Sequence, residues 1–175
     1  MKSEVSQNEA NSIIRKHVYA SMGVSMSPIP FTDIILANTF QLRMLRKLAR
    51  LYGESFASLS DLKSISSVLK YFVSFIDDAA IVIFSRTSLS TMSSRLVLSA
   101  AKFIPGIGQT VGVVTLPVLT GATTYAIGKV YNKHFATGGS FLTFDPEKAK
   151  KYYAKMFEEG KKLSQEYKNK KIEEP

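Results

Sequence analysis

The chain has 175 residues, a formal net charge of +9 and no cysteine, and its sequence pI is about 9.7. This length predicts one domain, with or without tails. The basic balance favours a polyanionic partner, such as anionic lipid, nucleic acid or an acidic protein. Without cysteine, disulfides, thiolate metal sites and thiol nucleophiles are excluded. The polar N-terminal residues lack the apolar core of a signal peptide, so we expect no secretory signal.

The N-terminal part is predicted to form a short tail, a helix and a turn. Residues 1–7 are polar, and we expect them to be flexible. Apolar residues at helical spacing follow between Asn8 and Ser25. Pro28 and Pro30 then predict a structural turn, because two prolines this close do not both fit inside a helix.

A second helix is predicted from about Thr32 to Tyr52, with Gly53 as its C-terminal stop. Leucines occupy one side of its second half. A cationic stripe occupies the other side, at positions i, i+3, i+4 and i+7: Arg43, Arg46, Lys47 and Arg50. One interpretation is a contact with phosphate headgroups or an acidic partner. The alternative is the solvated face of an ordinary core helix, which has the same pattern.

After Gly53 comes a serine-rich run and then an apolar run. Apolar residues keep a helical spacing through both runs. Asp77 and Asp78 interrupt the apolar run. Adjacent residues on a helix diverge, so this pair is not expected to converge on one metal ion. Asp78 is instead predicted to cap the next apolar segment.

An uncharged stretch runs from Phe103 to Gly128. As a helix it would be roughly 39 Å long, which exceeds the hydrocarbon thickness of a bilayer of about 30 Å. Length therefore permits a membrane-spanning helix, while Pro117 and several threonines weaken that interpretation and predict a kink. The alternative is a buried helix at the centre of a water-soluble bundle.

The same stretch carries a turn and a packing pattern. Pro105 and Gly106 predict a structural turn, with the helix starting near Ile107. Small residues recur at a four-residue spacing that suits close helix packing: Gly108, Gly112, Ala122 and Ala126.

The last helix has a clear start signal. Asp145 is expected to be its N-cap and Pro146 its first helical residue, and the helix should run to about Lys170. Gly160 is expected to interrupt it. Its basic side includes two further candidates for contact with anionic lipid or an acidic partner, Lys150 and Lys151.

These elements predict an all-α protein, a five- to six-helix bundle built from Pro-turned helical hairpins with a long uncharged central helix. The predicted organisation is a flexible N-terminus at 1–7, a helical domain at 8–140, and a basic C-terminal helix and tail at 141–175.

The sequence contains no motif that indicates catalysis. The phosphate-loop and dinucleotide fingerprints are absent, and the only histidines, His17 and His134, lie in no ligand array. His17 is expected to be packed or hydrogen-bonded. We therefore expect no enzyme activity, cofactor or metal. Nucleic acid is not favoured as a partner, because the lysine-rich last helix carries no recognised reading motif and is diluted by acids.

Two sequence blocks resemble a known family. The first comprises Ile13-Ile14, His17, Ala20, the PIP at 28–30, Asp33, Gln41, Met44-Leu45, Leu48-Ala49 and Tyr52-Gly53, and the second comprises Ile104–Gly108 and Thr124–Gly128. Together they resemble the domain of unknown function shared by YcjF-like membrane proteins and the C-terminal regions of certain Era-type GTPases. The resemblance covers about residues 8–140. It implies a helical, membrane-associated module that works with a GTPase, encoded separately because this chain has no nucleotide domain.

The leading hypothesis is a non-enzymatic membrane-associated helical module that contacts anionic lipid. It would lie at the inner or cytoplasmic membrane, on the cytoplasmic face, since lysine density rises after Gly128. The main alternative is a cytoplasmic, soluble interaction or scaffold protein with the central helix buried. A weaker alternative is a self-associating channel or pore, for which homo-oligomers would be required.

Overall fold

The computed structural model describes residues 2–26, 32–54 and 108–173, with side chains described in 7–26, 36–54 and 116–171. Four α-helices occupy these ranges, which contain no strand. The helices are α1 (Lys2–Ser25), α2 (Thr32–Leu51), α3 (Gly108–Ala136) and α4 (Pro146–Glu173). The all-α prediction is confirmed for this part of the chain.

Several predictions fall outside the described residues. The predicted count of five to six helices is not confirmed, because the additional helices were placed between residues 55 and 107. The cap at Asp78 also belongs to that range. The same holds for the four predicted turn residues: Pro28, Pro30, Pro105 and Gly106.

The helix ends follow the sequence signals closely at most positions. α1 begins at Lys2, earlier than the predicted start near Asn8. α2 has nearly the predicted bounds. Gly53 after α2 and Gly138 after α3 have φ angles of 79° and 80°, the left-handed conformation that glycine adopts without a steric cost. Both helices therefore end where the sequence places a glycine.

The start of α4 is confirmed in detail. The Asp145 carboxylate accepts hydrogen bonds from the backbone N–H groups of Glu147 (3.1 Å) and Lys148 (3.3 Å). Pro146 is the first helical residue. Hydrogen bonds from these backbone donors and the nearby Lys148 ammonium lower the pKa of Asp145. The carboxylate thus remains ionised and satisfies donors that the helix itself cannot.

α3 forms the centre of the described bundle, with α1, α2 and α4 packed against it. Contacts between named residues give the directions of the helices. Gln7 of α1 and Tyr52, which follows α2, both meet Asn132 of α3. At the other end of the bundle, Tyr19 of α1 stacks on Tyr167 of α4, with ring centroids 4.0 Å apart. α1 and α4 are therefore antiparallel to α3, and α2 is parallel to it.

Three glycines allow the close approach of these helices. A Cβ on Gly121 would meet the Met22 side chain at 2.8 Å and the Ser164 hydroxyl, and one on Gly128 would meet Ile14 at 2.8 Å. A Cβ on Gly160 would be 2.9 Å from Cα of Ala122 on α3. The prediction that Gly160 interrupts α4 is wrong: the helix continues through it, and the glycine lies at the crossing with α3.

The core combines apolar side chains with small hydroxyl groups. Met44, Leu45 and Leu48 of α2 are fully buried, and burying such side chains contributes about 1.5–3 kcal/mol each. Ser21 and Thr123 are also fully buried. Their hydroxyls donate to carbonyls of their own helices, Val18 at 2.8 Å and Leu119 at 2.7 Å, so these polar groups add no unpaired donor to the core.

An aromatic cluster holds the connection between α3 and α4. The Tyr131 ring stacks on Phe144 at 4.5 Å between centroids, and Phe135 meets Phe141 edge-on at 5.0 Å. His134 Nε2 donates a hydrogen bond to the Ser140 carbonyl at 2.8 Å. These contacts fix the turn and thereby the position of α4 on α3.

Candidate functional site

The cationic stripe of α2 is a continuous exposed surface. Its four members are all exposed, whereas the intervening Met44, Leu45 and Leu48 are buried against α1 and α3. The members are Arg43, Arg46, Lys47 and Arg50. We call these four residues the α2 basic surface. Because the apolar side of α2 is fixed in the core, the positive charges necessarily project outward from the bundle.

His17 of α1 lies close enough to the α2 basic surface for the charges of that surface to affect its pKa. Its Nδ1 donates to the Ile13 carbonyl at 2.7 Å. Burial lowers the pKa of His17, the hydrogen bond to Ile13 partly offsets that change, and the charges of Lys47 and Arg43 lower the pKa further. His17 is therefore neutral at pH 7 and neither adds to nor screens the charge of the α2 basic surface.

Lys150 and Lys151 are exposed as well, but on a different helix. They lie in the first two turns of α4. α2 and α4 each pack against α3 and share no extensive contact with one another in the described ranges. The structure therefore brings four of the six predicted contact residues together and places the remaining two on a second surface.

Two of the four predicted packing residues of α3 lie in the described core. Ala122 and Ala126 are fully buried. Gly108 and Gly112 belong to the first turns of α3, where only the backbone is described. Among the described residues, Gly121, Gly128 and Gly160 lie at close helix approaches, and the four-residue spacing did not identify them.

A closed polar network joins three elements at one end of the bundle. Tyr52 donates its hydroxyl proton to Asn132 Oδ1 at 2.7 Å, Asn132 Nδ2 donates to Gln7 Oε1 at 2.9 Å, and Gln7 Nε2 donates to the Tyr52 hydroxyl at 3.2 Å. We call it the Gln7–Tyr52–Asn132 triangle. Sequence reasoning missed it; the only available signal was a polar residue at a core-facing position of each helix.

The described side chains show no arrangement typical of a catalytic or metal centre. Within residues 7–26, 36–54 and 116–171, no three potential ligand side chains of histidine, aspartate or glutamate lie together. His17 and His134 each bond to a backbone carbonyl.

None of the helices in the described ranges combines the length and the apolar character needed to cross a bilayer. From Leu116 to Phe135, α3 is largely buried by its three neighbours, so its apolar side chains contact protein.

Comparison with known proteins gives the family. The family model described as "Domain of unknown function (DUF697)" matches residues 1–162. The chain belongs to the DUF697 family. Magnetosome membrane protein 22 of Magnetospirillum gryphiswaldense is 34% identical to this DUF697 chain over 162 residues, which is 93% of this chain and 75% of the relative. No solved structure matches the chain.

Proposed function

We propose that this DUF697 chain is a non-enzymatic, membrane-associated helical module that contacts anionic headgroups through the α2 basic surface. One observation carries the proposal: four cations project together from a helix whose opposite side is locked into the core. A basic residue near an anionic leaflet contributes about 1 kcal/mol to binding. Four such residues on one surface would therefore supply a substantial, salt-sensitive attraction.

The comparisons support this proposal from a separate direction. The relative with 34% identity is named as a membrane protein of the magnetosome. The net charge of +9 also favours an anionic partner. Lys150 and Lys151 would add a second basic surface, and the cytoplasmic leaflet, which is rich in anionic lipid, would be the side that is bound.

The burial of α3 supports a peripheral contact with the membrane. Since its described side chains contact α1, α2 and α4, we propose attachment by surface charge, with α3 retained inside the bundle. Gly121, Gly128 and Gly160 then serve intramolecular packing. We propose the same internal role for Ala122 and Ala126.

Vesicle co-sedimentation tests this proposal. The triple variant Arg43→Gln, Lys47→Gln, Arg50→Gln removes three charges from the α2 basic surface. The matched control, Lys155→Gln, Lys162→Gln, Lys170→Gln, removes three exposed charges from α4. On phosphatidylglycerol vesicles the first should lose about 3 kcal/mol, which is more than a hundredfold in the partition coefficient, and the control far less. Equal losses in both variants, or equal wild-type binding to uncharged vesicles, would refute the proposal.

The second candidate function is a soluble interaction or scaffold module, favoured by the burial of α3. The resemblance to GTPase-associated domains suggests a separately encoded GTPase as its partner, contacted through the α2 basic surface. This candidate would be favoured if the wild-type protein does not bind anionic vesicles but forms a complex with an acidic protein. Leakage of dye from the vesicles, which neither candidate predicts, would instead support a self-associating pore.

A further inference from the structure

A cleft of about 480 Å³ opens between α1 and α3. This volume lies within the range of about 300–1,000 Å³ that is typical of small-molecule sites. On α1, its lining residues follow one helical face at positions i, i+3, i+4 and i+7: Asn8, Asn11, Ser12 and Arg15. Tyr125 and Lys129 line it from α3. None of the α2 residues whose side chains are described contributes to the lining.

Lys129 is held in a fixed position at the cleft. Its Nζ donates to Asn11 Oδ1 at 2.8 Å and lies 5.6 Å from the centre of the Tyr125 ring. Burial lowers the pKa of Lys129, an effect that the nearby Glu159 charge opposes and the Arg15 charge reinforces. Among the described side chains, no carboxylate forms an ion pair with Lys129. The cleft therefore presents a partly desolvated ammonium group that no carboxylate of the described side chains pairs with directly.

The other polar groups of the cleft are mainly donors. Arg15 and Lys16 bring two more positive charges from α1. Burial raises the pKa of Tyr125, which keeps its phenol protonated, and the Ser12 hydroxyl is a further donor. Among the described lining residues there is no aspartate or glutamate. Glu159 of α4 acts on Lys129 and Tyr125 by its charge and is not one of these lining residues.

We infer that this cleft binds a phosphomonoester group, with Arg15 and Lys129 as the principal contacts. A phosphomonoester carries a charge of about −1.5 to −2 and three strong acceptor oxygens. The Arg15 guanidinium matches two of these oxygens in a fork geometry, and Lys129 supplies a point charge from the opposite helix. A phosphate dianion suits the cations that line this cleft from two helices better than a singly charged carboxylate does. The inference does not rest on the proposed membrane contact, because the α2 basic surface is not part of the cleft.

Titration with glycerol 3-phosphate at constant ionic strength tests this inference. Binding is measured by calorimetry and by changes in amide chemical shifts. Glycerol and acetate are the control ligands. Wild-type protein should bind glycerol 3-phosphate, with shifts concentrated at Asn11, Arg15 and Lys129. Arg15→Gln and Lys129→Met should each weaken binding about tenfold or more. Lys162→Met, which removes one exposed charge from α4, should leave the affinity unchanged.

Glu159→Gln is expected to raise the affinity for glycerol 3-phosphate, the opposite effect to that of the two cation variants. Removing the negative charge near Lys129 should tighten glycerol 3-phosphate binding, because the anion then meets less repulsion. Lack of wild-type binding would overturn the inference. Binding that survives both Arg15→Gln and Lys129→Met, or that acetate matches, would overturn it as well.

Vesicles then distinguish a lipid headgroup from a soluble phosphate ester. Phosphatidic acid presents a phosphomonoester and phosphatidylglycerol a phosphodiester, and the two vesicle types are matched in total charge. A preference for phosphatidic acid that Lys129→Met abolishes assigns the cleft to a lipid. Glycerol 3-phosphate binding without such a preference assigns it to a soluble ester. The triple variant of α2 should lose general vesicle binding in either case, so a failure of the membrane proposal is recognised separately.

Discussion

At the scale of single residues, the Gln7–Tyr52–Asn132 triangle connects α1, the end of α2 and α3. Tyr52→Phe removes the hydroxyl that donates to Asn132 and accepts from Gln7. The free energy of unfolding should fall by about 0.5–1.5 kcal/mol in urea denaturation. The matched control is Tyr19→Phe, since the Tyr19 ring stacks on Tyr167 and that contact needs no hydroxyl. An equal loss in both variants would show that the triangle contributes nothing specific.

His17 should give the protein a measurable pH dependence. Because its pKa is lowered in the folded state, the unfolded chain binds the proton more readily. Folding stability should therefore decrease as the pH falls through about 6.5, by at most about 1.4 kcal/mol per pH unit. His17→Gln should show a shallower decrease between pH 7 and pH 5 in denaturant titrations. Identical slopes for the two proteins would contradict the burial of a neutral His17.

Individual residues were predicted from the sequence with uneven success. The Asp145 cap followed from the adjacent proline and acid, and the structure confirms it. His17 was expected to be packed or hydrogen-bonded, and it is both. The triangle could not be predicted, because its three members are distant in sequence and only the tertiary packing brings them together.

At the scale of helices, the crossing of α3 and α4 depends on Gly160. An added methyl group would collide with the backbone of Ala122 at 2.9–3.0 Å and with Cβ of Tyr125. Gly160→Ala should destabilise the fold by about 1–3 kcal/mol, despite the better helix propensity of alanine. The control is Gly23→Ala in α1, where nothing lies within 4 Å and a gain of up to about 1 kcal/mol is expected. Thermal unfolding would measure both, and a stabilised Gly160→Ala protein would contradict the observed crossing.

Helix positions were easier to predict than helix contacts. Apolar periodicity and the glycine stop at Gly53 located α2, because these signals are local. The four-residue spacing did not identify Gly121 and Gly128, which lie at close contacts with neighbouring helices. Their importance depends on which residues of α1, α2 and α4 face them, and a single helix does not contain that information.

At the scale of the whole molecule, the described fold places the uncharged part of α3 from Leu116 to Gly128 inside and the α2 basic surface outside. The exposure of the α2 basic surface followed from its helical period. The separation of Lys150 and Lys151 onto another surface did not, because it depends on the placement of α4 against α3. The sequence also left open whether the central helix faces lipid or is buried in a bundle, because tertiary packing decides this. From Leu116 onward, α3 is largely covered by other helices.

Fractionation of cells that express the full chain, without detergent, tests the central claim most directly. The membrane pellet is washed with high salt and separately with carbonate. The account predicts that the protein sediments with membranes and that high salt releases it, because salt screens contacts between exposed charges. The α2 triple variant should be found in the soluble fraction from the start. Retention through both washes would contradict attachment by surface charge, and wild-type protein that never sediments would contradict membrane association itself.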